Sequence, residues 1–256
     1  MKKGFTISEM LIIIGIIGVI LALTLPDLLA YIQKYTLVNQ LKVTYASLNN
    51  GFKRLIASYA TADYTDTGLD FVSTITLDAQ KKWDSEFHEA FRIKQVCMMG
   101  DNSCDYDISS LSKTNPMTYR GLPMSPSAVS NNRYTFILNN GSLVSFYAWG
   151  KCDAPSPDRA DDKYKTCGYI SVDVNGYNHP NVIGRDIFNF ELFGDGTILP
   201  EFGTAALFRK TGSSDTDSYV HYWEHTGDYG DCDPESSQTG NGCAGRIMDS
   251  GWVMNY

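Results

Sequence analysis

The chain has 256 residues, of which 43% are hydrophobic and 20% are charged, as in an ordinary globular protein. These proportions exclude a disordered tail and a membrane protein with many spans. The formal net charge of -8 lacks the basic excess that neutralisation of phosphates requires, so nucleic acid is not expected as a partner.

An apolar segment lies near the N-terminus. No charged residue occurs from Met10 to Pro26. Together with residues 5–8, this segment is about long enough to cross a bilayer as a helix. Lys2 and Lys3 precede it, and the positive-inside rule therefore places that end in the cytoplasm and the residues after Pro26 outside it.

A secretory signal peptide would also combine a basic start with an apolar core. Two features argue against this alternative. Residues 24–27 lack the small side chains that a signal-peptidase site requires. In addition, Glu9 places a carboxylate one turn inside the segment, where an ionisable group is costly and is a functional site by default.

Residues 4–9 read Gly-Phe-Thr-Ile-Ser-Glu, with two lysines before them and the apolar run after them. This combination resembles the N-terminal signal of type IV prepilins and type II secretion pseudopilins. The resemblance implies cleavage between Gly4 and Phe5 by prepilin peptidase, which would also N-methylate the new Phe5 amine. It further implies an inner-membrane location, an assembly platform in that membrane, and other pilins or pseudopilins as partners.

Cleavage after Gly4 would give Glu9 a physical role. The new Phe5 α-amine would be a cation, and Glu9 lies four residues further along the same helix face. Within a filament, Glu9 of one subunit could pair with the Phe5 amine of a neighbour and so set the axial register. The alternative is a glutamate that reaches the membrane interface and has no role in assembly.

Beyond Pro26 the apolar residues recur every three or four positions, as on one face of an amphipathic helix. The prediction is one helix from about Phe5 to Tyr59, with a membrane-spanning half over residues 5–26, in contact with lipid, and an amphipathic half over residues 27–60. Pilins have a helix of this kind, so the architecture agrees with the N-terminal motif. The predicted buried stripe is Leu28, Ile32, Tyr35, Val38, Leu41, Tyr45, Leu48, Phe52, Leu55 and Tyr59.

Residues 61–256 are predicted to form the globular domain, outside the cytoplasm. The fold class is α+β, with the long N-terminal helix packed on a C-terminal antiparallel β-sheet. Turn residues Asn139-Asn140-Gly141 predict a hairpin, and Gly194-Asp195-Gly196 predicts a second turn. The further predictions are a helix over 78–94, strands over 133–138, 142–149, 169–174 and 187–193, a polar loop over 203–245 and a closing strand near 246–254.

The six cysteines occur as three pairs that are close in sequence, with no C-x-x-C motif. An even number in polar surroundings favours disulfides and an oxidising compartment. Six cysteines allow about 15 pairings, and pairing between sequence neighbours is the simplest. The predicted disulfide residues are Cys97, Cys104, Cys152, Cys167, Cys232 and Cys243.

Two segments raise the possibility of metal chemistry. Asp173, Asn175 and Asp186 supply the hard oxygen atoms that calcium prefers, but the same residues also build turns between strands. The run from His221 to His225 matches the H-x-x-E-H pattern of zinc peptidases, which requires a helix. Because turn residues flank this run, a metallopeptidase is not favoured, and no cofactor other than the possible calcium ion is predicted.

The leading hypothesis is a non-enzymatic, structural subunit of a type IV pilus or a type II secretion pseudopilus, with residues 1–4 as its leader. The large globular part favours a minor subunit. The alternative is a singly anchored extracytoplasmic binding or adhesion domain that never polymerises. The sequence leaves open which of the two machines is served and which ligand or cargo is bound.

Overall fold

The structure is a computed structural model. It describes residues 6–62, 64–67, 77–97, 134–148, 152, 154–155, 165–201, 232 and 240–256. The predicted cleavage site at Gly4 and Phe5 lies outside these residues, as do Cys104 and the H-x-x-E-H run at 221–225. The chain divides into two compact units, Met1–Thr36 and Leu37–Tyr256.

The long N-terminal helix, α1, spans Ile7–Ser58 and contains Pro26. Its bounds lie within two residues of the prediction. This continuity confirms the predicted helix within the described residues.

The first unit exposes a continuous set of large apolar side chains. Ile7 and Leu23, for example, are 82% and 73% exposed. By length and composition α1 can cross a membrane, and no part of its most apolar stretch is buried within the structure. A single-pass membrane anchor is therefore compatible with this helix.

The buried face of α1 begins later than the sequence pattern predicts. Leu28, Ile32 and Tyr35 are 53%, 49% and 63% exposed, so their assignment to the buried stripe is wrong. Burial in the second unit starts at Leu37 and continues every three or four residues to Ile56. The apolar spacing is the same on both sides of Leu37, which is why periodicity did not separate them.

The second unit contains an antiparallel sheet. Seven strands occur among the described residues, namely β1 (Ile93–Cys97), β2 (Tyr134–Leu138), β3 (Leu143–Ala148), β4 (Ala154–Pro155), β5 (Lys165–Asp173), β6 (Ile187–Phe193) and β7 (Ile198–Pro200). Six of them follow the order β1-β2-β3-β5-β6-β7, and β4 pairs with β5. Every strand pairing is antiparallel.

One core joins α1 to this sheet. Leu41, Leu48 and Phe52 of α1 belong to the same buried cluster as Phe136 and Phe190 of the sheet. This cluster gives the second unit the predicted α+β class, an antiparallel sheet packed on a long helix.

One predicted helix and one predicted strand need correction. Helix α2 spans Leu77–Ala90 rather than 78–94, because the chain enters edge strand β1 at Ile93. Where a closing strand was predicted, Cys243–Asp249 forms a helix, α3. Cys243, Ala244 and Ile247 are all buried, which is a helical spacing rather than the alternation of a strand.

Disulfides join sequence neighbours, as predicted. Cys152 bonds to Cys167 and Cys232 bonds to Cys243. Cys97 is disulfide-bonded as well. The second bridge ties Cys232 to the first residue of α3.

Candidate functional site

The first candidate site is the start of α1, where Thr6 and Glu9 bind each other. The backbone N–H and the hydroxyl of Thr6 both donate to Oε2 of Glu9, each at 2.8 Å. The backbone N–H of Glu9 donates back to Oγ1 of Thr6 at 3.3 Å. This reciprocal pair is a capping box, which satisfies helix N–H groups that have no partner within the helix.

The capping box gives Glu9 a role within one chain that the sequence analysis missed. The signal was available, since Thr6-Ile7-Ser8-Glu9 fits the pattern of Ser or Thr followed three residues later by Glu. Only Oε2 is engaged, however, and Glu9 itself is exposed. Within the described residues Oε1 accepts no hydrogen bond, so a cation from outside the chain can reach it without breaking the cap.

The second candidate site is the turn between β5 and β6, which brings Asp173, Asn175 and Asp186 together. The backbone N–H of Asn175 donates to Oδ1 of Asp173 at 3.2 Å. The side-chain Nδ2 of Asn175 donates to Oδ2 of Asp186, also at 3.2 Å. Asp186 further accepts the backbone N–H groups of Asn181 and Val182, at 2.8 and 2.6 Å.

These contacts place two carboxyl groups in a buried turn, where the ionised form is costly. Asp173 is 8% exposed and Asp186 is fully buried. Burial, and then the negative charge of Asp186, raise the pKa of Asp173 to about 8. Burial also raises the pKa of Asp186, although N–H donors oppose the shift. Three N–H donors stabilise the ionised form of Asp186. Asp173, with its pKa of about 8, is therefore the protonated carboxyl group of the two at neutral pH.

The hydrogen bonds of these residues fit a turn between strands more closely than a calcium site. Calcium takes about six to eight oxygen ligands, whereas both oxygens of Asp186 already accept N–H groups. One buried acceptor of this turn, Oδ1 of Asn175, has no hydrogen-bond partner among the described residues. Among the described residues no three His, Cys, Asp or Glu side chains are placed to hold a metal. Calcium binding at Asp173, Asn175 and Asp186 stays a prediction.

We expect the stability of the detergent-solubilised protein to fall as the pH rises. The folded pKa of Asp173 is raised, so its contribution is fully present below about pH 4 and is lost as the pH passes through about 8. The expected slope is at most about 1.4 kcal/mol per pH unit. Asp173→Asn keeps the acceptor for Asn175 without the ionisation, and should flatten this slope in chemical denaturation between pH 5 and 8.

Asp195→Asn is the matched control. Asp195 accepts the backbone N–H of Thr197 at 2.9 Å in the same type of local turn, but it is exposed. The slope should survive this change. If Asp173→Asn unfolds with the pH dependence of the unmodified chain, the Asp173 carboxyl group does not hold a proton in the folded protein.

Comparisons with protein-family models, with curated proteins and with solved structures give no match for this chain. Its function is therefore inferred from its own residues. Of the predicted sites, the structure describes Glu9, the buried turn and the cysteines other than Cys104. The H-x-x-E-H prediction falls on residues outside the described part.

Proposed function

We propose that this chain is a non-enzymatic, structural subunit of a type IV pilus or a type II secretion pseudopilus. Prepilin peptidase cuts it between Gly4 and Phe5 and methylates the new amine. Before assembly the subunit lies in the inner membrane, with its globular part outside the cytoplasm. The assembly platform extracts it and packs its N-terminal helix against those of other pilins.

One observation carries this proposal, namely the form of the first half of α1. Its apolar side chains are exposed, and none of its most apolar stretch is buried within the structure. An exposed apolar surface of this extent requires lipid or other apolar helices around it. Before assembly the membrane supplies the lipid, and after assembly a filament core of packed helices supplies the apolar neighbours.

Glu9 distinguishes this helix from a simple anchor. A lipid-anchoring helix gains nothing from a carboxylate among apolar residues, since the charge opposes insertion. The capping box lowers that cost by supplying two donors to Oε2, and it leaves Oε1 for the amine of a neighbouring Phe5. We propose that this pairing sets the register between adjacent subunits.

The test is the location of the mature protein in cells that have their own assembly machinery. Filaments are sheared from the cell surface, collected by high-speed centrifugation and blotted for this chain. Recovery together with a known filament subunit is expected. Recovery in the membrane fraction alone, from cells that do make filaments, would favour the alternative of a singly anchored binding or adhesion domain.

A further inference from the structure

A groove in the second unit lies beside the exposed face of α1 and has no role in the fold described above. Its volume is about 500 Å³. Val43, Asn50 and Arg54 of α1 line one side, and Arg92 and Asn139 line the other. We refer to this feature as the cationic groove.

Two arginines give the groove its charge. Nε and Nη2 of Arg54 both donate to the carbonyl oxygen of Ala90, at 3.2 and 2.7 Å, so this guanidinium is held at the end of α2. Arg92 is exposed. Neither arginine forms a salt bridge within the described part of the chain. A guanidinium with N–H groups to spare binds a carboxylate in a two-pronged manner that lysine does not match.

Hydrogen bonds fix the wall opposite α1 in place, and one of them is fully buried. Nδ2 of Asn140 donates to Oγ1 of Thr44 at 2.9 Å, and Oδ1 of Asn140 accepts the backbone N–H of Ser142 at 3.1 Å. The hydroxyls of Thr44 and Ser142 are 2.8 Å apart and both are fully buried. The turn that carries Asn139 is thus tied to α1, and a ligand would not have to order it on binding.

The charge of the groove contrasts with that of the whole chain. The sequence has 29 acidic residues against 21 Lys and Arg. Between Leu37 and Ser58, however, α1 carries Lys42, Lys53 and Arg54 and no carboxylate. The remainder of the chain therefore holds an even larger excess of carboxylates, so that part of a second copy carries a net charge opposite to that of the groove.

We propose that the cationic groove receives a carboxylate-bearing segment of a second copy of this chain. In a helical filament one patch of each subunit contacts a different patch of the next, so the two patches must complement each other. A cationic groove on an acidic chain meets that requirement. The inference rests on the proposed function, because an anchored monomer would have no such neighbour.

Charge reversal in the full-length chain tests this contact. Arg92→Glu is the first variant, since the Arg92 side chain forms no hydrogen bond or salt bridge within the described residues. Arg54→Glu is the second. Lys53→Glu is the matched control, because Lys53 is exposed, adjacent to Arg54 and outside the groove lining. Disulfide formation on a non-reducing gel shows that each variant has folded.

Arg92→Glu and Arg54→Glu should each lower the recovery of this chain in sheared filaments by about tenfold, as expected for loss of a close charge pair. Lys53→Glu should have little effect. A photoreactive benzoylphenylalanine at Asn139 should cross-link to an Asp- or Glu-containing peptide of a second copy. Normal recovery of both groove variants would overturn the proposal, and so would cross-links only to a different protein.

These outcomes are separable from failure of the proposed function. If the unmodified chain enters filaments and the groove variants also enter them normally, only the groove proposal fails. If the unmodified chain never enters filaments made by the same cells, the proposed function fails first, and the groove proposal fails with it.

Discussion

We expect Glu9→Leu to leave the protein in the membrane at its normal level and to exclude it from sheared filaments. The substitution makes the helix more apolar, so insertion is unharmed. It removes the carboxylate that we propose pairs with the Phe5 amine of a neighbour. Losing one partner of a buried charge pair costs about 2–5 kcal/mol, which corresponds to a loss of more than about tenfold in incorporation.

Glu9→Gln separates that pairing from the capping box. Glutamine at this position still accepts a hydrogen bond from the backbone N–H of Thr6, so the helix start is preserved. Only the charge is lost. If Glu9→Gln enters filaments as poorly as Glu9→Leu, assembly requires the negative charge of Glu9. If Glu9→Gln enters them normally, Glu9 acts only as a helix cap.

The largest effect on stability is expected from Phe52→Ala. Phe52 is 1% exposed and lies where α1, α2 and the sheet meet. Its ring centroid is 5.0 Å from that of Phe91, 5.5 Å from that of Phe146 and 6.2 Å from that of Phe87. Truncation leaves a cavity among these rings, so the free energy of unfolding should fall by about 3–5 kcal/mol.

Denaturant unfolding in detergent, followed by near-ultraviolet circular dichroism, measures this loss. Lys53→Ala is the control, because Lys53 is the next residue on the helix and is exposed. A variant Phe52→Ala that unfolds at the denaturant concentration of the control would mean that this ring cluster does not hold α1 to the sheet.

Elements with a strong local signal were predictable from the sequence. The three- and four-residue spacing of apolar side chains predicted α1 almost to its end at Ser58. The turn at Asn139-Asn140-Gly141 predicted the hairpin of β2 and β3, and Gly141 has the positive φ of 89° that such turns favour. The strand predicted over residues 187–193 has the bounds of β6.

The elements that were missed owe their structure to distant partners. Strand β7 has only three residues and exists because it pairs with β6. Strand β1 is a partly polar edge strand that takes its conformation from β2. For the same reason the sequence grouped Asp173 with Asp186 but did not show that the fold buries both, which is what raises the pKa of Asp173.

The mature N-terminus tests the central claim most directly. Mass spectrometry of the protein purified from its own cells identifies its first residue. We predict a chain that begins at Phe5 and carries a methyl group on the α-amine, the cation that Glu9 would pair with in a filament. A chain that still begins at Met1 would contradict the account and identify a simple membrane anchor.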